Sequence, residues 1–505
     1  MNPRTPPAVG YRLVALFFGL KLLVHLLVAG RYGYHADELY FIECSKHLAW
    51  GYVDQTPLVP WLTRVVGELT GWSLFGLRTL PALAGATNIA MTLLLVREWG
   101  GGRIAQTLAG TAMLIAPAYL QMASLVHIPV LESLIWTSAA YVIVRIIKLD
   151  QPRLWLAVGV LAGVGLLNKP TMALWGVGLA VGLLAGPHRT HLKSGWLWLG
   201  VLAAFLLFLP NLLWQRSHEW ATLQFLTNIE AGVLAAIPRH LFLLGQLLYL
   251  HPLAIPLAFA GLYYLFTPAG ERFRLFGWIY VVCLLVFVAE RGKPYYLAPA
   301  YPPLFAAGAT WLEQRFTERP SRYPTLIVAA QLIGGAFTAL FALPIASLPT
   351  ADAVISKLLG WVVPDPTMIT GDFHREYGWR EQAAAVGGVF RSLPEPERAR
   401  VIVLAHNYSE ASAIDFFGRE WGLPPASSGH MNYYLWGPPT VRDATVIAFG
   451  MPLSALPAGC TSVAEVAKTY HPLAIGTENK LPVYTCHYSG VFSAEAWRKL
   501  KRYWH

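Results

Sequence analysis

Eleven apolar stretches dominate this sequence and restrict its fold more than any other feature. A bilayer core takes about 20 apolar residues of helix, and a backbone crossing it must pair its own polar groups. The stretches are residues 12–30, 78–96, 103–121, 130–147, 154–168, 171–186, 195–213, 240–266, 275–289, 295–312 and 325–343. Asn168-Lys169-Pro170 parts the fifth from the sixth. The first follows Arg4 and Arg12 like a secretory leader, but it holds Lys21 and His25 and no small-x-small cleavage site follows. It is expected to remain as an uncleaved span. Only 13% of residues are charged, against about 25% in soluble domains, which excludes an ordinary soluble enzyme. Four cysteines in 505 residues exclude a disulfide-built scaffold.

The net charge of +10 does not call for a nucleic-acid partner. With the N-terminus inside, the inner loops collect Arg4, Arg12, Arg97, Arg103, Arg145, Lys148, Arg153, Arg189, Lys193, Arg272, Arg274, Arg315, Arg319 and Arg322, against the acids Glu98, Asp150, Glu271, Glu313 and Glu318. The outer loops and the residues after 346 are each balanced. The excess is therefore the positive-inside signature. It puts the N-terminus in the cytoplasm and everything from residue 347 outside it.

From residue 347 to 505 the charged fraction rises to about 18%, from about 11% before it. Strand-like runs at 401–405, 445–449 and 481–486 alternate with helical patterns at 376–391 and 409–420. The expectation is a membrane domain over 1–346 and an extracytoplasmic α/β domain over 347–505. Cys460 and Cys486 both fall on the oxidising side and can form a disulfide. Cys44 and Cys283 are expected to be free.

Chemistry concentrates in the first outer loop, from Tyr34-His35-Ala36-Asp37-Glu38 through Asp54-Gln55-Thr56-Pro57. Asp37, Glu38, Glu43 and Asp54 lie among apolar and aromatic neighbours just after a span. Lost hydration would raise such a carboxyl's pKa and make it a better proton acceptor. The same pattern fits an interfacial helix with a solvated acidic face.

Four segments, in order, resemble the GT-C membrane glycosyltransferases of the protein O-mannosyltransferase and aminoarabinose transferase superfamily. They are the Asp37-Glu38 loop, His127-Ile128-Pro129-Val130-Leu131-Glu132, Gly165-Leu166-Leu167-Asn168-Lys169-Pro170-Thr171, and Arg291-Gly292-Lys293-Pro294-Tyr295-Tyr296-Leu297-Ala298-Pro299. The resemblance covers about residues 10–345. It departs at Asp54-Gln55-Thr56-Pro57, where aminoarabinose transferases carry a lysine, and at Asn168, which stands for the usual threonine.

The resemblance implies a GT-C fold of about eleven transmembrane helices in a bacterial inner membrane. It implies inverting transfer of a sugar from a polyprenyl-phosphate donor to an acceptor hydroxyl on a protein, lipid or glycan. Asp37 would be the general base, supported by Glu38 and Glu132. Lys169, Arg291, Lys293, Tyr295 and Tyr296 would bind the donor phosphate. A divalent cation, Mg2+ or Mn2+, is left open, with His35 and either Asp37 or Glu132 as ligands. Asp54, Gln55, His430 and Asn432 are acceptor candidates, though for His430 and Asn432 a surface loop packed on the membrane is the more common setting. Glu132 could instead pair with Arg78, Lys169 and Lys293 could snorkel to the interface, and Tyr295, Tyr296 and Tyr301 could form an aromatic belt. Two rival readings stay open, a lipid or polysaccharide transporter with a sensor domain and a non-catalytic envelope scaffold. A transporter would be expected to show an inverted repeat.

Overall fold

The computed structural model describes residues 10–232, 238–317, 322–361 and 363–504, so Arg4, Glu318 and Arg319 of the charge pattern lie outside the described residues. All eleven apolar stretches are helical, but they are not eleven equal crossings. Among the described residues six helices are long and apolar enough to span: Gly10–Val28, Leu74–Glu98, Ile128–Leu149, Gly195–Ser217, Pro268–Ala289 and Tyr323–Ala342. The stretch expected at 240–266 is instead two helices, Arg239–Leu250 and Ile255–Phe266, meeting at 110°, and counts as a seventh crossing only if taken as one. His251, at φ +73, and Pro252 make the break, because proline lacks an N–H and keeps the preceding residue out of the helical region. Trp155–Asn168 and Thr171–Ala185 are 14 and 15 residues long, about 21–23 Å, short of the roughly 30 Å core.

Residues 103–121 break the same way, into Arg103–Ile115 and Pro117–Met122. That break explains the two charged residues of the first span. A six-residue helix leaves most of its carbonyls without intrahelical partners. Lys21 Nζ donates to the Tyr119 carbonyl at 2.8 Å and His25 Nε2 meets that of Leu120 at 3.0 Å. At the expected inner end, Glu98 binds Arg145 at 3.2 Å and Lys148 at 2.7 Å, and Arg272 donates to the Ile147 carbonyl.

After the last long helix, Leu348–Leu359, Thr367–His374 and Trp379–Ser392 lead into a five-stranded sheet. Its strands are β1 (Val401–Ala405), β2 (Ala426–Ser427), β3 (Ala444–Phe449), β4 (Cys460–Lys468) and β5 (Pro482–Tyr488), in the order β2-β1-β3-β5-β4. β1 pairs parallel with β2 and β3, while β5 pairs antiparallel with β3 and β4. Side chains alternate as a sheet covered on both faces requires. Val401, Val403, Ile447 and Phe449 pack on Ala383, Val386 and Ile414, whereas Ile402, Leu404, Val446 and Ala448 pack with Tyr488, Phe492 and Trp497. Cys460 and Cys486 are joined, tying β4 to β5, and Cys44 and Cys283 are free and buried.

This sheet unit sits on the loop that follows the first span. Ala36 and Leu39 pack against Trp379 and Ala413, and Tyr40, Cys44, Tyr52 and Val53 against Ala405, Ala411, Met431 and Tyr433. Open α/β sheets commonly gather ligands at the carboxyl ends of their parallel strands. Here the residues that follow β1 and β2 meet the helix Ala36–Lys46 of that loop.

Candidate active site

His35 ends the extended chain before the helix Ala36–Lys46 and caps it. Its Nδ1 accepts the Asp37 N–H at 3.1 Å, and Glu38 Oε2 accepts the His35 N–H at 3.0 Å. Two carboxylates in the first turn also meet the positive end of the helix dipole. They then diverge. Asp37 lines a cavity of about 190 Å³ with His35, His127, Tyr249, Lys293, Tyr295, Asp372 and Arg375. Glu38 turns inward to Arg78, which donates to it from Nε at 3.0 Å and Nη2 at 2.7 Å, and Glu38 also accepts the Val126 N–H at 3.1 Å. Arg78 Nη2 donates as well to Glu376 Oε2 at 2.9 Å, and all three side chains are at most 2% exposed.

Burial works to raise the Asp37 pKa, as expected from its position. The charges of His35 and His127, a hydrogen bond from the Tyr408 hydroxyl and the Arg375 guanidinium outweigh it and hold the carboxyl below its ordinary value. Burial pushes His127 down to about 4, so its charge reaches Asp37 only in acid. Glu38 is likewise held low, against burial, by Arg78. The expected upward shift falls instead on Glu43 and Asp54, each raised by burial to about 7.

Of the other anticipated residues, Lys293 and Tyr295 share the cavity with Asp37. Glu132, Lys169 and Tyr296 form a cluster beside it, the Tyr296 ring 4.9 Å from that of Tyr295. Lys169 Nζ donates to Glu132 Oε2 at 3.1 Å and lies 4.0 Å from the centre of the Tyr296 ring, and Thr171 donates to Glu132 Oε1. Glu132 therefore pairs with Lys169, not with Arg78. Arg291, at φ +52, precedes Lys293 by two residues and is not among the cavity-lining residues.

His430 and Asn432 do not form a surface loop on the membrane. They are 0% and 1% exposed. Asn432 Oδ1 accepts the Val53 N–H at 2.9 Å, its Nδ2 donates to Asp54 Oδ1 at 3.2 Å and to the Tyr40 hydroxyl, and Tyr40 donates to Asp54 at 3.1 Å. His430 Nδ1 accepts the Tyr408 N–H at 3.2 Å. Gln55 Nε2 meets Cys44 Sγ at 3.6 Å. Asp54 and Asn432 thus join the first loop to the sheet unit, while Gln55 bonds within the loop and His430 within the sheet unit. The residues not anticipated are Tyr408, whose hydroxyl donates to Asp37 Oδ1 at 3.0 Å, together with Asp372, Arg375 and Glu376. Glu376 falls at the start of the helical pattern expected at 376–391, and the other three lie outside the expected elements.

Among the described residues no three His, Cys, Asp or Glu side chains converge to hold a metal. His35 Nδ1 is committed to Asp37 N–H, and Glu132 to Lys169 and Thr171.

Residues 54–214 match the family described as dolichyl-phosphate-mannose-protein mannosyltransferase. The fold is similar to that of ArnT from Cupriavidus metallidurans bound to undecaprenyl phosphate, with a TM-score of 0.59 and 17% identity over 95% of this chain and 98% of that one. The apo state of the same protein gives 0.60 at the same identity and coverage. No curated protein matches the chain significantly. The resemblance seen in the sequence is therefore met by a family match over residues 54–214 and by a fold similar to that of ArnT.

Proposed function

We propose that this GT-C chain is an inverting glycosyltransferase, moving a sugar from a polyprenyl-phosphate donor to an acceptor hydroxyl at the outer face of the cytoplasmic membrane. One observation carries the reading: a carboxylate held ionised, Asp37, lines the same cavity as Lys293, Tyr295 and Arg375. Asp37 takes the proton of the acceptor hydroxyl as its oxygen attacks the anomeric carbon, a contribution typically of 10²–10⁴-fold. The bond from that carbon to the phosphate oxygen breaks, and a single displacement inverts the centre. The departing phosphate gains negative charge. Lys293 and the Tyr295 hydroxyl bind it more strongly as that charge develops, which lowers the barrier. His35 Nε2, buried and unpartnered, is available to a substrate hydroxyl. Glu38 and Glu132 are assigned to hold the walls, since their oxygens are taken by Arg78 and by Lys169 and Thr171.

The positive-inside charge and the Cys460–Cys486 disulfide support an N-terminus inside and a sheet unit outside. The test is release of free undecaprenyl phosphate by purified protein in nanodiscs, with a panel of undecaprenyl-phosphate sugars and nucleotide sugars. Turnover of one lipid-linked sugar, lost in Asp37→Asn while the lipid still binds, is the expected result. Turnover of a nucleotide sugar, or full activity in Asp37→Asn, would refute the reading.

A further inference from the structure

We propose that Tyr408, on the extracytoplasmic sheet unit, is a positioning residue for the reaction, fixing the orientation of Asp37 so that one carboxylate oxygen is presented to the acceptor. The inference rests on the assignment of Asp37 as the base and extends it to a part of the chain 371 positions away.

The hydroxyl of Tyr408 donates to Asp37 Oδ1 at 3.0 Å. A carboxylate on a two-bond stem rotates easily, and a base must be held within hydrogen-bond reach of the proton it takes. Tyr408 occupies one oxygen and so fixes that rotation; the other oxygen is left to accept the proton. The tyrosine is itself braced. Its ring lies 4.3 Å from that of Tyr40 and 5.3 Å from that of His430, centre to centre. Its N–H donates to His430 Nδ1, and its carbonyl accepts from Ser412 at 2.6 Å. It opens the helix Tyr408–Phe417, which Asn407 and Glu410 cap reciprocally, directly after β1. Sites held by rigid elements keep the geometry that catalysis needs.

Docking of the sheet unit does not depend on this hydroxyl. Arg78 with Glu376, Asn432 with Val53 and Asp54, and the packing of Ala36 and Leu39 on Trp379 and Ala413 supply it. Tyr408→Phe keeps the ring and removes the hydroxyl that bonds Asp37. A matched control exists in the same unit: Tyr433 donates to Asp415 Oδ2 at 2.6 Å, away from the cavity.

The experiment compares Tyr408→Phe, Tyr433→Phe and Asp37→Asn in full-length protein in nanodiscs, with the undecaprenyl-phosphate sugar that the wild type turns over. The expected result for Tyr408→Phe is a kcat lowered about ten- to a hundredfold, the range for one hydrogen bond to a charged group. Its donor KM stays unchanged and its melting temperature falls no further than that of Tyr433→Phe, which loses a like bond to Asp415 and keeps wild-type kcat. Wild-type kcat in Tyr408→Phe, or equal losses in both tyrosine variants, would overturn the proposal. An active Asp37→Asn would instead sink the assignment of the base. Infrared difference spectra give a readout independent of turnover. The carboxylate band that Asp37→Asn removes should shift in Tyr408→Phe and not in Tyr433→Phe, and an unmoved band would overturn the proposal.

Discussion

Replacing Arg78 with methionine should be among the most damaging single changes outside the cavity. The guanidinium binds Glu38 through two nitrogens and Glu376 through one, and it also donates to the carbonyls of Arg31 at 3.1 Å and Gly33 at 2.9 Å. Each bond to a charged group is worth about 1.5–3 kcal/mol. Their simple sum overshoots, because water and side-chain movement relieve part of the loss. The larger consequence is that two buried carboxylates lose their cation, and breaking one such buried pair costs about 3–5 kcal/mol. Glu38 keeps the N–H groups of His35 and Val126, which places the expected cost within that range. The assay is unfolding in mild detergent followed by far-UV circular dichroism, with proteolysis of residues 343–378 reporting detachment of the sheet unit. Arg78→Met combined with Glu38→Gln and Glu376→Gln should recover much of the loss, since neutral replacement of a buried ion cluster is often tolerated. A single variant within about 1 kcal/mol of wild type, or a triple variant worse than the single one, would refute the argument.

Lys293→Ala should weaken binding of undecaprenyl phosphate about ten- to a hundredfold, the loss of one charge-assisted bond. Lys169→Ala should lower stability and leave that affinity nearly unchanged, and calorimetry with both variants decides. Burial raises Asp54 and Glu376 to about 7 and Glu410 to about 8, all above their unfolded values near 4. The stability linked to a raised carboxyl is complete below the unfolded pKa and is lost as pH rises through the folded one. The melting temperature should therefore fall between about pH 5 and 8, and a flat or rising profile there would contradict these assignments. Glu38, held low by Arg78, acts oppositely and loses its contribution only in acid. Removing both Cys460 and Cys486 frees a link of 26 residues, for which chain entropy gives about 3.5 kcal/mol. Chemical unfolding of the double alanine variant should show a loss of that order.

The spans were legible because a bilayer imposes one pattern, a long apolar helix, wherever it is crossed. The bend at His251-Pro252 was not read from 240–266, because apolar composition runs through it unbroken and only the proline signals the change. β4 carries no such apolar signal because it is an edge strand with mostly exposed residues, whereas β1 and β3 are short apolar runs buried almost throughout. The loop carboxylates were legible as chemistry but not as geometry. A sequence motif presents Asp37 and Glu38 as a pair, yet consecutive residues on a helix point about 100° apart, so one cavity cannot take both. Asp37 is directed to the cavity and Glu38 to Arg78, and the last domain contacts each half, through Tyr408 and through Glu376. No periodicity links residue 37 to 408 or 78 to 376. Those contacts depend on where the sheet unit docks, and the docking depends on carboxylates whose charge is set by that contact. A change that detaches the sheet unit should therefore free Asp37 from Tyr408 and strip Glu376 from Arg78 together.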